Sequence, residues 1–250
     1  MADFVIIIRP EPDASRDVSW LNRYHVPAIA APVMQVELKT FDFPGAVEFQ
    51  AVVFTSRHAV SAFAGLQMSP AFLSLPVYAV GRSTGLAARQ LGFTSITVGH
   101  GGGRGLVPRV RADLSPRAGT ILWPSASIIS YDIANSLATF GFAVQRLPVY
   151  EMRATAALSC SLSERLKAGA SAAVVAMSVR SVHLFKEILK ASQLDTSRQA
   201  MTLIAGSPNI AAAAGTGWAS ILAAKAPRRS RLMAIATLVH RRHGLLLGPA

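Results

Sequence analysis

The chain has 250 residues, of which 51% are hydrophobic and 15% charged; this supplies ample apolar side chains for packed cores and excludes intrinsic disorder. That length fits one large domain or two of roughly 100–150 residues. A net charge of +12 favours polyanionic partners, and the single Cys160 excludes an internal disulfide and fits a reducing compartment.

Met1–Phe4 carries no basic leader region and Val5–Ile8 is too short for a signal sequence, so Phe4–Ile8 reads as a first buried strand. Arg9-Pro10-Glu11-Pro12 forms its exit loop, and Ala14–Tyr24 is a helix with Asp13 as N-cap. Pro32–Leu38 alternates apolar and polar residues, as a half-exposed strand does, and Phe41–Gly45 reads as a linker or turn. Ala51–Phe63 then has a short apolar run, a Thr55-Ser56 step and apolar residues at helical spacing, which predicts a strand, a tight turn and a helix. Pro76–Ala88 has the same grammar, with Gly81-Arg82-Ser83-Thr84 at the turn, and runs on to Gly92-Phe93. Ile96–Val98 is a short strand closed by the glycine cluster Gly99–Gly105. The cluster lacks the Gly-Lys-Ser/Thr ending of a Walker loop and does not fit Gly-x-Gly-x-x-Gly, so it reads as a flexible loop. Thr120–Ser125 is a further buried strand and turn, and Tyr131–Phe140 a helix that stops at Gly141. Val144–Met152 is a second alternating strand.

The pattern of Ala51–Phe63 returns at Ala173–Phe185, with Ala, Val, Val, Ser, Val and Phe in six of thirteen places. Pro76–Phe93 returns as Met201–Trp218, with Gly206-Ser207-Pro208-Asn209 at the turn. A repeat this long indicates a duplicated α/β unit rather than a solenoid. Each copy is preceded by one of the two alternating strands, which can pair as a ribbon at the boundary. The N-terminal strand and helix then belong with the second half: the expected division is 1–38 plus 149–250 for one domain and 39–148 for an inserted one. Helices are expected at Leu162–Lys167, Val182–Leu189 and Leu232–Val239, the last after a break at Pro227–Ser230, with Gly244–Ala250 as a frayed end.

Between Arg198 and Lys225 no residue is charged, but the run is Ala-rich and broken by glycine turns, so no membrane span is expected. After Asp195 the chain has basic residues up to Arg242 and no acidic ones. No helix-turn-helix, zinc-finger or RNP1 pattern accompanies that tail, so nucleic acid is not the expected partner.

In parallel α/β sheets, ligands bind beyond the carboxyl ends of the strands, where helix N-termini point amides outward. The turns there are Thr55-Ser56, Gly81–Thr84, Ser125-Ala126-Ser127, Ser178 and Gly206–Asn209: small, polar and poor in charge. For Ser56, Thr84 and Ser178, capping of their own helices and contact with an anionic ligand are both open. The six histidines show no metal-ligand spacing apart from His240 and His243, a pair that reads as a solvated face. No carboxylate pair is evident, and no metal or cofactor is expected. An enzyme of this kind acts through binding, orientation and dipoles.

The ordered set Ile8-Arg9-Pro10, Phe54–Val60, Ala79-Val80-Gly81-x-x-Thr84, Leu147-Pro148-Val149-Tyr150-Glu151 and Gly206 before an Ala-rich helix resembles the uroporphyrinogen-III synthase family over residues 4–240. The resemblance implies an α/β fold of two flavodoxin-like domains with parallel sheets, joined by a two-stranded β-ladder. It implies a cytoplasmic, monomeric, cofactor-free enzyme that cyclises hydroxymethylbilane, a polycarboxylate linear tetrapyrrole, in the cleft between the domains. Loss of the ring A hydroxyl as water gives an azafulvene; ring D attacks through its substituted carbon, and the spiro intermediate fragments and recloses with that ring inverted. By this resemblance Tyr150 assists departure of the hydroxyl. Arg9, Thr55, Ser56, Gly81, Thr84, Ser125, Ser178, Gly206, Ser207 and Asn209 contact the substrate. Three positions depart from the family pattern: Asn209 stands where a threonine is usual, Met177-Ser178 replaces a second Thr-Ser step, and Ser125 replaces a frequent glycine. The alternative is a non-catalytic sensor or interaction protein of the same fold that binds a polyanion.

Overall fold

A computed structural model describes residues 2–43, 49–225 and 228–241. Pro44-Gly45, Pro227, Arg242, His243 and the expected frayed end Gly244–Ala250 lie outside the described residues. The chain divides into two compact units, residues 1–35 with 153–250 and residues 36–152.

The first unit begins with β1 (Phe4–Ile7), α1 (Asp13–Arg23) and β2 (Ala28–Ala30). The chain leaves it through β3 (Met34–Leu38). The second unit continues with β4 (Phe49–Phe54), α2 (Arg57–Ser61), α3 (Pro70–Leu73), β5 (Val77–Ala79), α4 (Arg82–Gln90) and β6 (Ile96–Val98). It closes with α5 (Gly102–Asp113), β7 (Thr120–Ala126), α6 (Ile133–Ala138) and β8 (Val144–Ala154). The chain then completes the first unit with α7 (Cys160–Lys167), β9 (Ala172–Ala176), α8 (Val179–Ala191), a 3-10 turn, β10 (Met201–Ala205), α9 (Pro208–Ala214), β11 (Ser220–Ala223) and α10 (Arg229–Arg241).

The first unit's sheet has the order β11-β10-β9-β1-β2, with every neighbouring pair parallel. The second sheet has the order β3-β8-β7-β4-β5-β6, parallel from β8 to β6. Laid side by side, β2-β1-β9-β10-β11 corresponds place for place to β8-β7-β4-β5-β6. The first unit uses its strands in the order 2-1-3-4-5. The second has the same order once its chain is read from β7 round to β6, a circular permutation. β3 lies beside β8, and the boundary between the units falls inside both strands.

Central strands read as continuous apolar runs because helices cover both faces of a parallel sheet; β9 and β10 are buried along their whole length. Serines start five of the described helices: Ser69 accepts from the Phe72 N–H in α3, and four others do the same. Ser56, Ser159, Ser178 and Ser207 each accept a hydrogen bond from a backbone N–H in the first turn of α2, α7, α8 and α9. Each such cap is worth about 1 kcal/mol. In α1 the cap position is Pro12, so Asp13 is the first helical residue rather than the cap. Its carboxylate instead takes the Arg9 guanidinium at 2.7 Å.

One layer of the second unit is aromatic: Phe54 meets Phe63 and Phe93 edge to face, with ring centres 5.8 Å apart in both pairs. Phe41 and Phe43, read as linker from the sequence, pack onto Phe63. Across the sheet, Trp123, Tyr78, Leu106, Val110 and Ile133 form a second layer. In the first unit Val5, Ile7, Leu21, Val175, Leu232 and Met233 pack together. There the fully buried Asp17 carboxylate pairs with Arg9 at 2.8 Å and with Arg229, tying α1 to α10.

The glycine cluster differs from its sequence reading. Residues 102–105 are the first turn of α5, because Leu106, Val107 and Val110 are pulled into the core. Gly101 enters that helix with φ of 81°, and a Cβ on Gly105 would lie 1.7 Å from the His100 carbonyl oxygen, so both positions require glycine. Among the described residues, no helix is long and apolar enough to cross a membrane, and no group of three His, Cys, Asp or Glu could hold a metal ion.

Candidate functional site

Parallel sheets direct the carboxyl ends of their strands to one edge, and the crevice opens where the strand order reverses. In the second unit that point lies between β7 and β4, from which the chain proceeds outward to β8 on one side and β5 on the other. A cavity of about 210 Å³ sits there, walled by Thr55, Val80, Trp123, Ala126, Tyr131 and Tyr150.

Each wall residue follows from local structure. Thr55 is the first residue beyond β4, and the buried Trp123 indole N–H donates to its hydroxyl at 3.1 Å. Ser56 caps α2 by accepting from the His58 N–H at 3.1 Å. Tyr150, on β8, is only 6% exposed. Burial pushes its phenol above the usual range, outweighing a hydrogen bond with Ser56 that pulls it down. The group is therefore a neutral phenol across neutral pH, able to donate a hydrogen bond. Its ring centre lies 5.7 Å from that of His58.

Gly81 caps α4 with extended backbone, and a Cβ there would meet nothing within 4 Å. The protein's own packing thus does not require glycine at that position. Thr84 lies in the first turn of α4 and is buried. Ser125 is fully buried, its hydroxyl held by the Arg146 Nε at 3.0 Å, and it stands behind the cavity wall rather than on it.

In the first unit, Ser178 accepts from the Ser181 N–H at 3.1 Å, and the two hydroxyls lie 2.7 Å apart. The Gly206 N–H donates to the Ala176 carbonyl at 2.9 Å, continuing the β9–β10 ladder. Ser207 caps α9, and Asn209 is exposed in its first turn. Arg9 is not a free cation. Its guanidinium is held by Asp13 and Asp17.

Thr55 and Tyr150 thus meet on the wall of one cavity; Ser56, hydrogen-bonded to Tyr150, and Gly81, next to Val80, each stand one residue beyond that wall. Sequence reasoning missed Trp123, Tyr131 and Arg146. Trp123 lies on the strand whose exit turn was singled out, four residues before Ser127, and a buried indole needs an acceptor; that was the available signal.

A family model described as uroporphyrinogen-III synthase HemD matches residues 21–234. The crystal structure of uroporphyrinogen-III synthetase from Helicobacter pylori 26695 aligns with a TM-score of 0.63 at 17% identity, covering 96% of this chain and 100% of that one. A mutant uroporphyrinogen III synthase from the extremely thermophilic bacterium Thermus thermophilus aligns with a TM-score of 0.55 at 17% identity, covering 98% and 99%. At these identities the two structures speak for the mixed α/β fold with parallel sheets. No curated protein matches the chain.

Proposed function

The chain belongs to the uroporphyrinogen-III synthase family, a cyclising lyase of tetrapyrrole biosynthesis, and from that premise we propose that the cavity of the second unit is where ring closure is steered. The observation that carries this is Tyr150: a buried, neutral phenol on the wall of a cavity at the point where the strand order reverses. The reaction needs a hydrogen-bond donor where the ring A hydroxyl of hydroxymethylbilane departs as water, and a neutral phenol supplies it without releasing its proton to solvent. Thr55, Ser56 and the backbone at Gly81 hold the reacting end. The azafulvene so formed is then attacked by the substituted carbon of ring D, and the spiro intermediate fragments and recloses with that ring inverted.

We take each unit as flavodoxin-like, which the 2-1-3-4-5 strand order supports. The pairing of β3 with β8 is the joint between two domains, approximately 1–38 with 149–250 and 39–148. The strand-end turns of both units, with Thr84, Ser178 and Gly206–Asn209 among them, are the candidate contacts for the substrate's carboxylates, through helix-start amides and hydroxyls. Arg9 and Ser125 act behind those contacts, by fixing α1 and Arg146. The protein works as a cytoplasmic monomer.

The test is product analysis with freshly generated hydroxymethylbilane, oxidising the products and separating the type I and type III isomers. Spontaneous closure gives type I. Predominantly type III product supports the reading; type I alone from folded protein overturns it and favours the polyanion-binding alternative.

A further inference from the structure

The wall of the cavity includes Ala126, the last residue of β7, and residues 128–131 beyond it, where Ile128 is 74% exposed. The β7–β8 ladder is regular from Ile121 to Ser125, then shifts register between Ser125 and Ala126. A shift of this kind bends the strand and leaves backbone groups without their ladder partners. Those groups must find others.

Arg146, on β8, supplies them. Its Nε donates to the Ser125 hydroxyl at 3.0 Å, and one terminal nitrogen donates to the Ala126 carbonyl at 2.9 Å and the Ser127 carbonyl at 2.7 Å. The guanidinium carbon lies 5.7 Å from the centre of the Trp123 ring. Ser127 in turn donates its N–H to the carbonyl of Tyr150 at 2.8 Å. Two hydrogen-bonded steps therefore connect Arg146 to the backbone of the residue assigned the departing hydroxyl.

We infer that Arg146 is a positioning residue: it holds the exit of β7 in its shifted register and thereby sets the cavity wall and Tyr150 at their working separation. The inference rests on the cavity being the site of ring closure. The role requires a guanidinium. Three acceptors around one planar group match its fork of donors, whereas a lysine has a single nitrogen to share among them. Arg146 acts through the wall and through Tyr150. A 1 Å displacement of such groups costs up to about 100-fold in rate.

The test uses the full chain labelled with 5-fluorotryptophan, in wild-type, Arg146→Gln and Arg146→Lys forms, with the Trp123 resonance assigned by Trp123→Phe. The expected result is a shift of the Trp123 resonance, with those of Trp20 and Trp218 unmoved, in both variants. It is accompanied by a fall in kcat for type III product of about 10–100-fold and a smaller change in KM. Arg146→Lys keeps the charge and most of the side-chain reach, so it serves if Arg146→Gln does not fold. Wild-type turnover in Arg146→Lys, or a loss of turnover with an unmoved Trp123 resonance, overturns the inference. Failure of the wild type to make type III product overturns the synthase reading instead, and the Trp123 resonance alone then decides whether Arg146 anchors the wall.

Discussion

The two units share one strand order, and they differ at the point where it reverses. At the end of β4 stand Thr55 and Ser56; at the end of the corresponding β9 stand Met177 and Ser178. Both serines cap the helix that follows, Ser56 by accepting from the N–H two residues on and Ser178 from the N–H three residues on. What is not shared is everything around the cap. The second unit adds Trp123 bonded to Thr55, and Tyr150 on β8. The corresponding strand of the first unit, β2, is only Ala-Ile-Ala, and β1 exits into Arg9, whose charge is held by Asp13 and Asp17. The shared part of the duplication builds the fold, and the divergent part builds the cavity at the strand-order reversal of the second unit.

Substitutions that separate fold from cavity sharpen this contrast. The largest effect is expected in the first unit. Asp17→Ala leaves two guanidinium groups facing a buried gap and should cost about 3–5 kcal/mol of stability. Chemical denaturation would measure it, and product isomer identity in the surviving folded protein should not change.

A smaller effect lies behind the second sheet. The Tyr78 phenol is raised to about 12, first by burial and then by the adjacent Asp113, to which its hydroxyl donates at 3.3 Å. Below pH 10 it is protonated in both the folded and the unfolded chain. Between pH 10 and 12 the folded state keeps a proton that the unfolded chain releases, so stability falls as pH rises, by on the order of 2 kcal/mol. Melting curves of Tyr78→Phe should lack that alkaline component. An identical pH profile in variant and wild type would remove Tyr78 as its source.

Next comes the matched pair Ser56→Ala and Ser178→Ala. Each loses a cap and should lose about 1 kcal/mol. Only Ser56→Ala also removes the bond that lowers the Tyr150 phenol, so only there should the phenolate absorbance of Tyr150 appear at still higher pH. Equal titrations in the two variants would erase the asymmetry between the copies. Smallest in stability is Gly81→Ala, in extended backbone with open space around it, expected to stay within about 0.5 kcal/mol of wild type. Its KM for hydroxymethylbilane should nevertheless rise, because a methyl group there takes the space of an approaching ligand; an unchanged KM removes Gly81 from the site.

Periodicity and turn chemistry made much of this fold legible. The runs at Ala51–Phe54 and Ala173–Ala176 are strands followed at once by serine-capped helices, and the second copy of the pattern reports its own existence. Two short edge strands were not legible. β2 has three residues and β11 four, too few to show a period. The glycine cluster hid a helix start because its apolar face begins only at Leu106. For the site, Tyr150 and the Thr55-Ser56 step stood out in the sequence. The Trp123–Thr55 bond and the Arg146 clamp join residues 68 and 21 positions apart, and only the folded sheet brings them together. Arg9 illustrates the opposite case. Asp13 lies four residues further on, and that spacing already offered it a partner.

The most direct test of the account is steady-state kinetics of Tyr150→Phe, with type III product resolved from spontaneous type I. The substitution keeps the ring and its packing and removes only the hydroxyl. We predict a folded protein whose kcat falls by about 10²–10⁴-fold, the range of a lost proton donor, with KM little changed. Wild-type kcat in Tyr150→Phe would contradict the account, leaving the cavity as a binding pocket and the chemistry elsewhere in the chain.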